Sequence, residues 1–265
     1  MPQLEQESGR SGRRPALRRG FQIAGELLMT AGVVLLLFVA WQLWWTNVDA
    51  DARQHDVVKH FARGTGASAV PGSAVGGPET RGSGAGAVGG YGPAAVAPEP
   101  AEGATIGILY VPRFGAGYTR PIVQGTTPAL LDTLGIGHYA GTAMPGAVGN
   151  FAVAGHRQTH GAVLDSIDAL VPGDRIYVQT REGYYVYVFR NSQIVLPSRT
   201  DVLLPVPTRP GVAPTESYLT MTTCNPRFGS QERFVAYALL ERWQPASAGP
   251  PAEIASQAAR AAGES

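Results

Sequence analysis

Cys224 is the only cysteine among 265 residues, and it closes the β-branched run Leu219-Thr220-Met221-Thr222-Thr223. The turn signal Asn225-Pro226 follows, and Arg233 then opens a second apolar run, Phe234-Val235-Ala236-Tyr237-Ala238-Leu239-Leu240. Upstream, His156 ends the stretch Phe151-Ala152-Val153-Ala154-Gly155. A thiol, an imidazole and a guanidinium, each at the end of an expected strand, can serve as nucleophile, proton donor and oxyanion holder for acyl transfer.

Taken singly, each has an ordinary explanation. A lone thiol is often a small buried hydrophobe, and many histidines only cap a strand. Arg227 also lies near Cys224, in the expected turn, where a solvated arginine is the common outcome. Arg233 is the better oxyanion candidate, because an antiparallel return would bring its rigid fork of donors beside Cys224. His156 and His160 have HxxxH spacing, but no glutamate fills the HExxH slot and no further ligands cluster in sequence, so no metal site is expected. His55 and His60 read as solvated side chains near the membrane. His138, in Gly137-His138-Tyr139, lines the site or is structural.

The elements that must position these groups read as an all-β domain. Short apolar runs bounded by turn signals predict strands over 106–111, 120–123, 150–154, 174–180, 184–195, 218–223 and 233–240. Helical spacing predicts short helices over 128–134 and 161–170, the second carrying Val163, Leu164, Ile167 and Leu170. The domain is assigned to residues 104–243, enough for one closed barrel, and no internal repeat is visible. Residues 244–265 are Ala/Pro/Ser-rich and are expected to form a disordered tail.

The N-terminal third has a different logic. Arg10, Arg13, Arg14, Arg18 and Arg19 precede residues 27–45, LLMTAGVVLLLFVAWQLWW, whose only polar interruptions are Thr30 and Gln42. That is about the length a helix needs to cross a hydrocarbon core of roughly 30 Å. Its length and the terminal Trp41, Trp44 and Trp45 favour an uncleaved anchor with an interfacial aromatic belt over a signal peptide. The basic segment 1–26 would then be cytoplasmic and the bulk extracellular, as a single-pass protein of the cell membrane. Within 46–103, the first turns could continue the membrane helix, and the Gly/Ala/Pro-rich stretch 64–103 reads as a disordered tether. As flexible coil, its 40 or so residues would span roughly 35 Å. A net charge of +1, with no clustered basic face in the domain, gives no reason to expect a nucleic-acid partner.

Thr220-Met221-Thr222-Thr223-Cys224 resembles the TLxTC motif of the sortases, the membrane-anchored cysteine transpeptidases of Gram-positive bacteria, with Met for Leu. His156 and Arg233 match the family histidine and arginine. The stretch Gly137-His138-Tyr139-Ala140-Gly141-Thr142, followed by Pro145-Gly146, is most similar to class E, the housekeeping type of high-GC actinobacteria. Ile108-Leu109-Tyr110-Val111-Pro112 resembles the first sortase strand. The resemblance implies an eight-stranded β-barrel and no cofactor. It also implies cleavage of an LAxTG- or LPxTG-like C-terminal sorting signal of exported proteins between Thr and Gly, and transfer of the acyl group to a cell-wall precursor amine. Thr223, Tyr139 and His138 become candidate substrate contacts. Three rivals stay open: a cysteine hydrolase of the same signal, an L,D-transpeptidase, and a non-catalytic, membrane-tethered β-barrel binding module. The second typically carries a Ser/Thr-His-Gly-Cys motif, whereas Thr222-Thr223 precedes Cys224 here.

Overall fold

The computed structural model describes residues 13–66 and 90–263. Contacts divide the chain into two compact units, Met1–Trp45 and Thr46–Ser265. The helix α1 (Arg13–Gly66) extends through the polar residues after Trp45, as anticipated. It contains the one stretch among the described residues that is long and apolar enough to cross a membrane. Leu35, Leu36, Leu37, Trp41, Trp44 and Trp45 there are exposed.

The second unit is built on a closed barrel with strand order β1-β2-β3-β4-β7-β8-β6-β5. The strands are β1 (Thr105–Tyr110), β2 (Thr119–Gln124), β3 (Ile136–His138), β4 (Gly149–Ala154), β5 (Arg175–Gln179), β6 (Gly183–Val195), β7 (Ser217–Asn225) and β8 (Glu232–Pro245). Closure removes the exposed edges that an open sheet would present. Pairing is antiparallel except between β2 and β3 and between β4 and β7. The parallel β4–β7 pair requires a long crossover, and it makes both strands end at the same rim of the barrel.

Seven of these strands match the runs read from sequence to within a few residues, and α2 (Pro128–Leu134) occupies the predicted segment. The strand β3 has only three residues, too few to show an alternation. The helix expected over 161–170 is instead a series of turns with a short 3-10 segment at Ile167–Ala169. His160, Gly161 and Ala162 all have positive φ (52°, 86° and 46°), which stops a right-handed helix from starting there. The four apolar side chains of that stretch still enter the barrel core, beside Phe151, Val153, Tyr187, Leu219 and Met221.

A second apolar cluster lies outside the barrel wall. The outward side chains Ile108, Tyr110, Tyr177, Tyr184 and Val186 are covered by Val58, Phe61 and Ala62 of α1 and by Ile254, Ala258 and Ala261. The last two belong to α3 (Ala255–Ala262). This explains why Tyr184-Tyr185-Val186-Tyr187-Val188-Phe189 is bulky and apolar throughout: both faces of that strand are buried.

Two expectations are corrected here. The C-terminal tail is ordered through Gly263, and α3 is tied back by Gln257 Nε2 donating to the Gly115 carbonyl (3.2 Å) and Arg63 Nε donating to the Ala262 carbonyl (3.2 Å). Part of the expected tether also packs onto the domain. Trp243 Nε1 donates to the Gly92 carbonyl (2.8 Å), Tyr185 OH donates to the Ala95 carbonyl (2.5 Å), and Ala94 and Ala95 lie against the core. The remainder of the tether, residues 67–89, lies outside the described residues. Composition misled at both ends because small side chains can be held by contacts that a distant part of the chain provides.

Candidate active site

The site forms where β4 and β7 end and β8 begins. In β7, Leu219 and Met221 point into the barrel core, so Thr220, Thr222 and Cys224 face outward by alternation. Cys224 is directly opposite Arg233 across the antiparallel β7–β8 pair, so the two side chains share that outer face. In β4, Phe151 and Val153 are in the core, which turns Asn150, Ala152 and Ala154 outward. The parallel register pairs Ala154 with Thr222. Two residues further along each strand stand His156 and Cys224, so the imidazole leaves the strand beside the thiol and on its side of the wall.

Bonds between the two strand ends fix this placement. Gly155 N donates to the Thr222 carbonyl (3.2 Å), and Thr223 Oγ1 donates to the Gly155 carbonyl (2.7 Å). A Cβ at Gly155 would stand 2.7 Å from Val163 Cγ2, so this close approach of backbone to core requires glycine. Cys224, His156 and Arg233 are all partly exposed. Arg233 Nη1 donates to the carbonyls of Ser230 (2.9 Å) and Glu232 (2.8 Å), which anchors one corner of the guanidinium. Arg227 is committed elsewhere, to a two-pronged pair with Asp165.

His156 Nε2 stands 2.7 Å from Asp132 Oδ1 on α2. The loop after it is held from the far side by the polar part of α1. Gln54 Nε2 donates to the His160 carbonyl (3.1 Å), and Asn47 Oδ1 accepts from Gly161 N (2.9 Å). Arg120 Nη2 donates to the Gly161 carbonyl (3.3 Å) and pairs with Asp51 (3.0 Å).

Two expected substrate contacts are instead internal. His138 is fully buried, with Nδ1 2.7 Å from Gln124 Oε1 and Nε2 3.1 Å from the Ala143 carbonyl. Burial lowers its pKa below the usual histidine range. Thr223 is buried and faces inward, with its hydroxyl used by the Gly155 carbonyl. Tyr139 is half-buried on the outer face, its hydroxyl 2.9 Å from Thr222 Oγ1.

A thiol, an imidazole and a guanidinium on one wall of an eight-stranded barrel invite comparison with known proteins. A sortase domain matches residues 109–241. Sortase SrtE2 of Streptomyces coelicolor is 32% identical over 245 residues, which cover 88% of each protein. The chain belongs to the sortase family.

That family consists of cysteine transpeptidases, and the class E resemblance is supported as well. Sortase SrtE1 of Streptomyces coelicolor is 36% identical over 243 residues, which are 88% of this chain and 60% of that protein, so this sortase spans less than two thirds of its relative. Among solved structures, the SrtA sortase of Actinomyces oris is similar with a TM-score of 0.59 and 37% identity, covering 61% of this chain and 93% of that one. Two parts of this sortase's site were not legible in its sequence. Asp132 sits in an unremarkable helix. Arg157, next to the histidine, is buried: its Nη1 donates to Asn225 Oδ1 (2.6 Å), its Nη2 pairs with Asp168 (2.9 Å), and its guanidinium lies 5.6 Å from the Phe234 ring centre. An arginine directly after a candidate histidine was the only available signal.

Proposed function

We propose that this chain is a membrane-anchored sortase that cleaves an LAxTG- or LPxTG-like signal between Thr and Gly and joins the released carbonyl to a cell-wall amine. The observation that carries the reading is the direct pairing of Cys224 with Arg233, with His156 leaving the adjacent parallel strand on the same face. The Cys224 thiolate adds to the threonine carbonyl carbon, and the Thr–Gly C–N bond then breaks as His156 gives a proton to the leaving glycine nitrogen. The oxyanion between these steps meets the Arg233 guanidinium. An incoming amine then attacks the thioester, His156 takes its proton, and the thiolate departs. Tyr139, on the outer face near Cys224, is the remaining candidate for substrate contact. Its partners would be exported proteins bearing the signal. The apolar part of α1 would anchor it in the cell membrane, N-terminus inside and barrel outside.

The test uses the full chain in detergent with internally quenched LAxTG and LPxTG peptides, with and without an amine acceptor. Cleavage, a mass adduct on Cys224, and a ligated product when amine is present are expected, and Cys224→Ala should abolish all three. Cleavage without ligation at saturating amine would make it a hydrolase. Retained turnover in Cys224→Ala would remove the thiol from the mechanism.

A further inference from the structure

The HxxxH pair of the sequence acquires a third member in the fold. Asp132, His156 and His160 each direct one ligand atom into a common space, all within 4.8 Å of one another. Asp132 Oδ1 is 2.7 Å from His156 Nε2 and 3.5 Å from His160 Nδ1, and the two imidazole centres are 5.1 Å apart. Tetrahedral zinc, with bonds of about 2.0–2.1 Å to nitrogen and oxygen, needs donor separations of roughly 3.3 Å. The two carboxylate–imidazole distances bracket that value, and the third separation, between the two imidazoles, is at most 4.8 Å.

His160 carries two features that its own hydrogen bonding does not account for. Its Nδ1 is buried and makes no hydrogen bond, a cost ordinarily avoided. Its backbone has φ 52°, in the left-handed region that non-glycine residues rarely adopt, and Gln54 grips its carbonyl there. Backbone and ring are therefore held so that a ring nitrogen faces the Asp132 carboxylate, within reach of the His156 imidazole.

We propose that Asp132, His156 and His160 bind a divalent transition-metal ion, with Zn2+ the best match. Two imidazoles and one carboxylate suit zinc, whereas calcium and magnesium take oxygen ligands. The consequence rests on the sortase reading above: an imidazole that is coordinated to an ion cannot become an imidazolium, so an ion on His156 withdraws it from proton transfer, and zinc is an inhibitor of this enzyme and not its cofactor. Cys224 is not a member of the cluster.

The first measurement is calorimetric titration of Zn2+ into the metal-stripped full chain carrying Cys224→Ala, which removes the thiol as a competing ligand and needs no turnover. One equivalent should bind. Adding His160→Gln or Asp132→Asn to that background should weaken binding by at least about tenfold, since losing even an outer-shell partner costs 10–100-fold. Circular dichroism checks that each variant is folded, and two independent ligand variants guard against one failing. In the peptide assay, zinc should slow the enzyme with its thiol intact, and His160→Gln should raise the inhibiting concentration by a similar factor, each protein scored against its own metal-free rate. Zinc binding that vanishes with Cys224→Ala alone, or that survives both ligand variants, would overturn the site. An enzyme that cleaves peptide but binds no zinc refutes this inference alone, and a chain that binds zinc but cleaves nothing refutes only the sortase reading.

Discussion

Arg157 illustrates how a residue without a direct chemical role can set the position of one that has it. Its buried guanidinium joins Asn225, Asp168 and the face of Phe234, which brackets Cys224 from the turn on one side and from the β8 start on the other. Arg157→Ala would leave the Asn225 oxygen without its donor and open a gap beside Phe234. It should destabilise the domain by about 2–3 kcal/mol and slow peptide cleavage, read by urea unfolding and by the quenched-peptide rate. His138 gives a prediction of a different kind. Burial holds its pKa below the usual 6.5, so as pH falls through that value the unfolded chain takes up a proton that the folded chain refuses. Stability therefore falls with falling pH below about 6.5. Thermal melts at pH 7 and pH 5 should show a smaller loss for His138→Gln than for the parent.

Among the elements, the helices on the barrel wall matter more than their composition suggests. The apolar face made by Val58 and Phe61 meets Ile254 and Ala258 over the outward side of β1, β5 and β6. Ile254 is fully buried, so Ile254→Ala should cost about 2–4 kcal/mol, most of it lost burial and cavity. Chemical denaturation of the chain from residue 46 onward measures this. A fragment limited to residues 104–245 would expose Tyr110, Tyr177, Tyr184 and Val186 together and should melt lower than that longer chain. An equal melting temperature would show that α3 and the end of α1 add no stability. The same part of α1 also bonds the backbone at His160 and Gly161, so its removal should slow cleavage as well as lower stability.

At the scale of the whole molecule, the described residues hold one apolar helical stretch long enough to cross a membrane and one sortase-family barrel. Extracts of cells making the full chain should carry it in the membrane fraction, resistant to carbonate washing, while the chain from residue 46 onward should remain in the supernatant. A full chain released by carbonate would argue against a spanning anchor.

The strands, the long apolar stretch and the candidate trio of Cys224, His156 and Arg233 each leave a local mark: an alternation, a long apolar run, or a chemically capable side chain at the end of a strand. The resemblance to sortases then supplied the roles. What the sequence could not decide depended on residues far apart in the chain. The burial of His138, the docking of α3 against Phe61, and the meeting of Asp132 with His156 and His160 all depend on how distant segments pack in the folded chain. Such pairings depend on strand register and on which wall a helix covers, and neither is encoded within a window of neighbouring residues.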